Sequence, residues 1–431
     1  MSPCYRRAIM LDLARIRVAP AEVAAALAKR VAIDFTDLLA RDAERRDLTS
    51  QADALKARRN RASASIAELK RSGADASAPI AETRALGDQI KQLDQRVAEL
   101  EHRVTSELEV LPNIPDADVP AGGKEANRQL SQWGEPASAT ATGEDHVAIA
   151  ERLGLIDYAR GTKLAGNGFW VYRGKGAQLE LALLNYFIAR HVAAGFELLL
   201  VPHIVGRQCA YDAGQLPKFG DQDIYSVGDP GDEQILIPTA ETVLAALHRG
   251  EILEADSLPR RYCAVTPCYR REAGSYRSHD RGTIRGHQFN KVELFEYVAP
   301  DRSAAAFDEL ADAAQGLVKE LGLPHRVSLL AAGDCSAAAA KTHDIEVWIP
   351  SMASFEEVSS ASNTRDYQAR RSATRMRGGG QRATEFVHTL NASGLATSRL
   401  LPALLENRLQ ADGSVEVPEA LQPFTGFDRI A

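Results

Sequence analysis

Two neighbouring stretches of this 431-residue sequence hold side chains suited to chemistry. RRYCAVTPCYRREA (260–273) and RGHQFNKVELFEYV (285–298) both read as β-strands, with the polar loop GSYRSHDRGTI between them. Such a pair is an antiparallel hairpin with a long, arginine-bearing loop. Alternation puts Arg270 and Glu272 on one face of the first strand, and Phe289, Lys291 and Glu293 on one face of the second. Where those faces coincide, an arginine, two carboxylates and an aromatic ring converge, which suits a nucleotide with charged phosphates and a flat base. A GxxxxGK motif followed by Ser or Thr is missing, as is GxGxxG after a strand. Phosphates would therefore be held by guanidinium forks, which match phosphate oxygens bidentately and stack on adenine. Taken alone, a phenylalanine in a strand is more often core than base platform.

The elements that must position this hairpin are of two kinds. From Asp145 onward helical and strand patterns mix: QLELALLNYFIARHVAAG is a long helix ended by Gly195, and the strand FELLLVP follows. Before residue 112 the pattern is purely helical. Leu48, Ala52, Leu55, Arg59, Ala62, Ile66 and Leu69 follow a 4-3-4-3 rhythm, and Leu86, Ile90, Leu93, Val97, Leu100 and Val104 repeat it. A sustained 3.5-residue period is the seam of a coiled coil. SGADASAP (72–79) between the stretches breaks helices and makes a turn. An antiparallel coiled-coil hairpin is therefore expected, with helices over about 34–70 and 80–111, and roughly 37 residues at 1.5 Å rise make an arm of about 55 Å. Lys56, Arg58, Arg59, Arg61, Lys70 and Arg71 face only one acid, Glu68, across 56–71. That cluster suits a nucleic-acid surface, a solvated helix face or a dimerisation rod. Pro112, Pro115 and Pro120 forbid helix continuation, so 112–144 reads as a linker between an N-terminal domain, 1–111, and a main domain, 145–431.

Bulk properties set the remaining bounds. An apolar fraction of 45% and a charged fraction of 25% are ordinary for a soluble globular protein. No apolar run is long enough for a membrane span, and MSPCYRRAI lacks an apolar signal core, so Met10 reads as an alternative start. Five scattered cysteines, none in CxxC spacing, point to neither a disulfide framework nor zinc, and fit a reducing cytoplasm. With 51 Lys and Arg against 58 Asp and Glu the formal charge is −7, so nucleic-acid contact must use a local basic surface.

The hairpin TPCYRREAGSYRSHDRGTIRGHQFNKVELF closely resembles motif 2 of a class II aminoacyl-tRNA synthetase, specifically seryl-tRNA synthetase. The resemblance continues through AGQLPKF (213–219), IPTAET (237–242), AAAKTHDIEVWIP (338–350), FEEVSSASNTRDYQARR (355–371) and HTLNASGLATSR (388–399). MLDLARIR, QWGEP (132–136) and the coiled-coil arm extend it over nearly the whole chain from Met10. It implies an α+β fold, with the arm joined to a synthetase domain built on a mixed, mainly antiparallel sheet flanked by helices. It also implies activation of L-serine by ATP and transfer to tRNA-Ser, with tRNA-Sec as a possible second acceptor. The serine carboxylate is the nucleophile, so the protein supplies alignment and charge neutralisation.

Residue roles follow from the same resemblance. Thr239, Ala240, Glu241, Glu293, Asn391 and Ser393 would form the serine pocket, with Arg270 bridging the substrate carboxylate and the α-phosphate. Arg270, Glu272 and Arg399 would be the catalytic set. Phe289 and Arg399 would sandwich adenine, a contact of about 1–2 kcal/mol. Arg281 would meet the terminal phosphates, and Arg271, Val358 and Ser359 would complete the ATP site. Glu357 and Ser360 would hold Mg2+ as hard oxygen ligands. Pro202 aligns with the motif 1 proline at a homodimer interface, and Lys56, Arg58, Arg61, Lys70 and Arg71 would read the tRNA. Departures occur at Thr242, Ala361, Thr364, Ala392, Ser398 and the Cys335-Ser336 pair. They leave two other readings: a duplicated copy serving antibiotic biosynthesis or self-resistance, and a tRNA-binding regulatory paralogue without catalysis. The second would show damage at Arg270, Glu272, Glu293, Glu357 or Arg399, and all five are intact.

Overall fold

Eight strands form the central sheet of the computed structural model, which describes residues 11–217, 223–229, 233–272, 281–378 and 383–431. In chain order they are β1 (Arg128–Trp133), β2 (Glu197–Leu199), β3 (Arg260–Tyr269), β4 (Gln288–Val298), β5 (His325–Leu329), β6 (Lys341–Ile349), β7 (Ser354–Arg365) and β8 (His388–Ala396). Their spatial order is β1-β5-β6-β7-β8-β4-β3-β2. Every pairing is antiparallel except β2 with β3, so the sheet is mixed and mainly antiparallel. Loop residues 274–280, Lys218-Phe219 of AGQLPKF and residues 1–9 lie outside the described residues.

Helices cover the sheet because their apolar side chains recur at three- and four-residue spacing. Leu179, Ala182, Leu183, Tyr186 and Phe187 are the buried stripe of the helix Gly174–Ala193, which ends where Gly195 takes φ +89°. Phe307, Leu310, Ala314 and Leu317 do the same for Ser303–Glu320, and Leu400, Leu401, Leu404 and Leu405 for Thr397–Asn407. These stripes meet Val292, Leu294, Ile345, Val347 and Leu390 of the sheet in one apolar core. Full burial contributes about 1.5–3 kcal/mol for each large side chain.

The stretch 112–144, read from its prolines as a linker, is part of the fold. β1 is an edge strand of the sheet, and Asn113 is buried, donating to Ala338 O (2.8 Å) and Thr364 O (2.7 Å). Proline stops a helix but leaves extended chain free to join a sheet edge, so the helix break was no evidence for a linker.

A second compact unit comprises Leu11–Ala25 and Ala32–Leu111. Its helices Thr36–Ser72 and Ser77–Glu109 differ by a few residues from the expected 34–70 and 80–111. Gly73 at φ +72° ends the first, and Asp75 accepts from Ser77 N and Oγ, so the second starts at once. Pro79 falls in that first turn, where its missing N–H costs nothing. Ion pairs Arg41–Glu107 (2.6 Å), Arg96–Glu44 (2.9 Å) and Lys56–Asp94 (2.8 Å) show the antiparallel register, as does Arg58–Glu82. Ala52, Leu86, Ile90, Leu100 and Val104 are buried seam residues, whereas Arg59 is half-buried.

The buried Asp42 carboxylate closes this unit by accepting from Arg17 (2.6 Å), Arg45 (2.9 Å) and Arg46 (3.2 Å). Burial alone would raise its pKa, but the hydrogen bonds from Arg17 and Arg45 outweigh that and hold it below the usual carboxylate value. A depressed carboxyl adds stability above its unfolded pKa and loses it as pH falls through the folded one. Asp42→Ala is expected to destabilise this unit by about 2–3 kcal/mol, read by denaturant melts at pH 7. The deficit should shrink on acidification.

Candidate active site

Strand β4 supplies three side chains at two-residue spacing. It lies between β3 and β8, and pairs Phe289 with Cys268, Lys291 with Thr266 and Glu293 with Ala264. Glu293 and Lys291 are buried and form an ion pair. Glu293 also accepts from Thr239 Oγ1 (3.0 Å) and Asn391 Nδ2 (3.3 Å). Thr239 in turn accepts from the Glu241 N–H (3.3 Å), which holds Glu241 at the start of its short helix. Glu241 lines a cavity of about 520 Å³ together with Gln215, Thr239, Arg270, Glu272 and Arg285. Burial, and then Glu293, push its carboxyl up to about 7.

Arg270 enters this cavity just beyond β3. Its N–H donates to His287 O and its carbonyl accepts from His287 Nδ1, both at 2.9 Å, which pins the backbone. Its guanidinium donates to Pro238 O (3.3 Å) and lies 5.2 Å from the Phe289 ring. Convergence here is the work of a turn and not of strand alternation: β3 ends at Tyr269, and Glu272 takes φ +47°. That left-handed conformation costs a side-chain-bearing residue about 1–2 kcal/mol. The ion pair from Arg285 Nε to Glu272 (2.6 Å) holds it in place.

A smaller cavity of about 80 Å³ is lined by Arg270, Phe289, Glu357, Val358, Ser393 and Arg399. Arg399 donates to Glu357 O (2.9 Å) and Oε2 (3.3 Å) and to Ile284 O (3.3 Å). Phe289 and Arg399 thus border one space. Ser360 faces Asp344 across β7 and β6, and Asp344 is raised well above the usual carboxylate range by burial and then by Glu357. Its Oδ1 is buried without a hydrogen-bond partner among the described residues. Donors of this kind are all oxygen, which fits a hard cation. Among the described residues, no three His, Cys, Asp or Glu side chains are grouped to hold a metal ion.

Other expected residues point elsewhere. Arg281 pairs with Asp145 (2.9 Å) and is 66% exposed, while Arg285 lines the cavity beside Glu272. Arginines recur at 277, 281 and 285, and their even spacing gave no means of choosing between them. Arg271 turns toward the Tyr225 ring (5.8 Å), Ala240 is buried among Tyr262 and Phe295, and Ser359 donates to Ser393 O (2.5 Å). Glu180, also missed, accepts from Asn290 (2.9 Å) and Thr397 (2.7 Å), next to Phe289 and near Arg399. Among the departures, Ala361 and Ala392 face each other across β7 and β8, so the two small residues are matched. Thr242 donates to Gln215 (2.8 Å), and Ser398 O accepts from Thr283 (2.6 Å).

A mixed, mainly antiparallel sheet carrying these arginines, carboxylates and ring in this chain order is a class II aminoacyl-tRNA synthetase core. The family model for the tRNA synthetase class II core domain (G, H, P, S and T) matches residues 225–408, and that for the seryl-tRNA synthetase N-terminal domain matches 10–115. Serine–tRNA ligase 2 of Clostridium acetobutylicum is 50% identical over 426 residues, 98% of this chain and 100% of the relative. The serine–tRNA ligase of Nitratidesulfovibrio vulgaris is 44% identical over 97% of this chain and 98% of the relative. The crystal structure of Pyrococcus horikoshii seryl-tRNA synthetase complexed with ATP matches with a TM-score of 0.90 at 33% identity, covering 98% and 99% of the two chains. The chain belongs to the seryl-tRNA synthetase family, and is an aminoacyl-tRNA ligase.

Arg285→Ala is expected to slow amino-acid-dependent pyrophosphate exchange about 100-fold or more, the loss typical of a donor aimed at developing charge. Arg281→Ala removes an exposed ion pair and should stay within about threefold of wild type.

Proposed function

We propose that this protein activates L-serine with ATP to seryl-adenylate and transfers the serine to tRNA-Ser. The observation that carries the reading is the meeting of Glu241 and Thr239 with Arg270 in one cavity, with the buried Glu293 hydrogen-bonded to Thr239 behind it. Carboxylates can pair with the substrate ammonium, and a polar partner for its hydroxyl disfavours alanine, which would leave that partner unsatisfied. A serine carboxylate oxygen attacks the α-phosphorus, a P–O bond forms, the bond to the bridging oxygen breaks and pyrophosphate leaves. A terminal ribose hydroxyl of the tRNA then attacks the adenylate carbonyl, and AMP departs. Arg270 and Arg285 would neutralise the phosphates, while Phe289 and Arg399 would flank the adenine.

Glu357 and Ser360 would hold Mg2+, with ATP and water oxygens completing its shell, and the ion would supply charge neutralisation at the phosphates. A homodimer is supported by the edge position of β2 and by exposed Leu181, Leu198, Leu200 and Ile204, beside which Pro202 lies. A cytoplasmic site is supported by the four described cysteines, all free. Residues 1–111 would serve as the tRNA-binding domain and 145–431 as the catalytic domain. Arg61, Lys70 and Arg71 are exposed, while Lys56 and Arg58 make exposed pairs that phosphates can replace at little cost.

Serine-dependent ATP–pyrophosphate exchange with Mg2+, run beside charging of tRNA-Ser, tests the reaction; absence of exchange would overturn it. Changing Lys56, Arg58 and Arg61 together to Ala is expected to raise the KM for tRNA about tenfold or more and leave exchange intact. An equal fall in both assays would make the arm structural.

A further inference from the structure

We propose that Gln368 is a positioning residue for amino-acid binding, its amide turning the Glu241 carboxylate into the cavity while Thr389 and Thr364 hold that amide in place. This rests on the proposed serine chemistry. Gln368 lies on the short helix Tyr367–Ser372 and is fully buried, as are Thr364 and Thr389. Its Nε2 donates to Glu241 Oε1 (2.8 Å) and to Ala213 O (3.0 Å). On the other side its Oε1 accepts from Thr389 Oγ1 (2.8 Å) and lies 3.3 Å from Thr364 Oγ1. Thr364 Oγ1 donates to Thr389 O (2.9 Å).

These partners decide which way the amide faces. A carbonyl and a carboxylate can only accept, so a flipped amide would set its oxygen against two acceptors. The Thr389 hydroxyl gives the amide oxygen its donor in the orientation that remains, and Thr364, bonded to Thr389 O, backs that residue. Both Nε2 protons and one lone pair of Oε1 are then spoken for, and a hydrogen-bonded buried network is rigid. With Oε1 of Glu241 tied to Gln368, Oε2 is the oxygen left for an ammonium or hydroxyl in the cavity. Other charges facing Glu241 are Glu293 and Lys291 from β4 and Arg270 from beyond β3. Glu293 opposes ionisation of Glu241, whereas Lys291, Gln368 and Arg270 favour it. An ammonium ligand needs the ionised form, so serine binding strengthens as pH rises through Glu241's titration, and loss of the Gln368 donor moves that rise to higher pH.

The test is pyrophosphate exchange by the full chain, with serine and ATP varied separately and the pH profile of kcat/KM for serine recorded. Gln368→Leu is expected to raise the serine KM about tenfold or more, hold the ATP KM within about twofold, and shift the acid limb upward by about half a unit or more. Thr389→Val should act in the same direction more weakly, and Thr389→Ser, which keeps the hydroxyl, should bring the serine KM back toward wild type. Equal rises in both KM values, or an unmoved acid limb, overturn the proposal. Should Gln368→Leu fail to fold, the Val and Ser variants of Thr389 decide: identical serine KM values from the two overturn it. Wild-type protein without serine-dependent exchange would instead refute the serine reading.

Discussion

A carboxylate can be kept in the middle of a sheet only where donors surround it, since an unpaired buried charge costs several kcal/mol. Glu293 stands on the central strand β4 with no solvent exposure, and Lys291, Thr239 and Asn391 each give it a partner. Those partners come from β4 itself, from the loop before a short helix, and from β8. Placing this one charge therefore aligns three separate parts of the chain around a common space. Once they are aligned, Glu241 sits close enough to Glu293 to feel its charge.

The arginine side of the site, proposed for the phosphates, is governed by a different constraint. A glycine cradle binds phosphate with backbone N–H groups, but here guanidinium groups must be aimed, and long side chains lose entropy when held. The fold aims them by giving each a fixed acceptor: Arg270 has Pro238 O, Arg285 has Glu272, and Arg399 has Glu357 and Ile284 O. The left-handed backbone at Glu272 belongs to the same device, because it turns that carboxylate onto Arg285. Glu180 ties the Asn290 and Thr397 side chains together. Preorganised donors of this kind need no rearrangement as charge develops.

The helical unit works by simpler rules. Its seam of small and branched apolar residues buries one stripe, cross-helix ion pairs fix the antiparallel register, and Asp42 gathers three arginines at one end. None of this needs long-range placement beyond two helices meeting. Such a structure can be inferred from a repeat alone.

That contrast explains what could be read in advance. The coiled-coil seam, the two helix spans and the paired strands Arg260–Tyr269 and Gln288–Val298 were legible, because each depends on residues a few positions apart. Phe289, Lys291 and Glu293 were legible as one face for the same reason. The strand β1, hidden behind three prolines, was not, since edge pairing depends on a partner, β5, nearly 200 residues away. Nor could spacing show that Arg285 rather than Arg281 lines the cavity, or find Gln368 and Glu180, whose contacts lie on other strands and helices. The sequence by itself determined the periodic elements and the chemical types available to the site. Only the tertiary structure decided which side chains meet, because hydrogen bonds and ion pairs act over about 3–4 Å in space and are indifferent to separation along the chain.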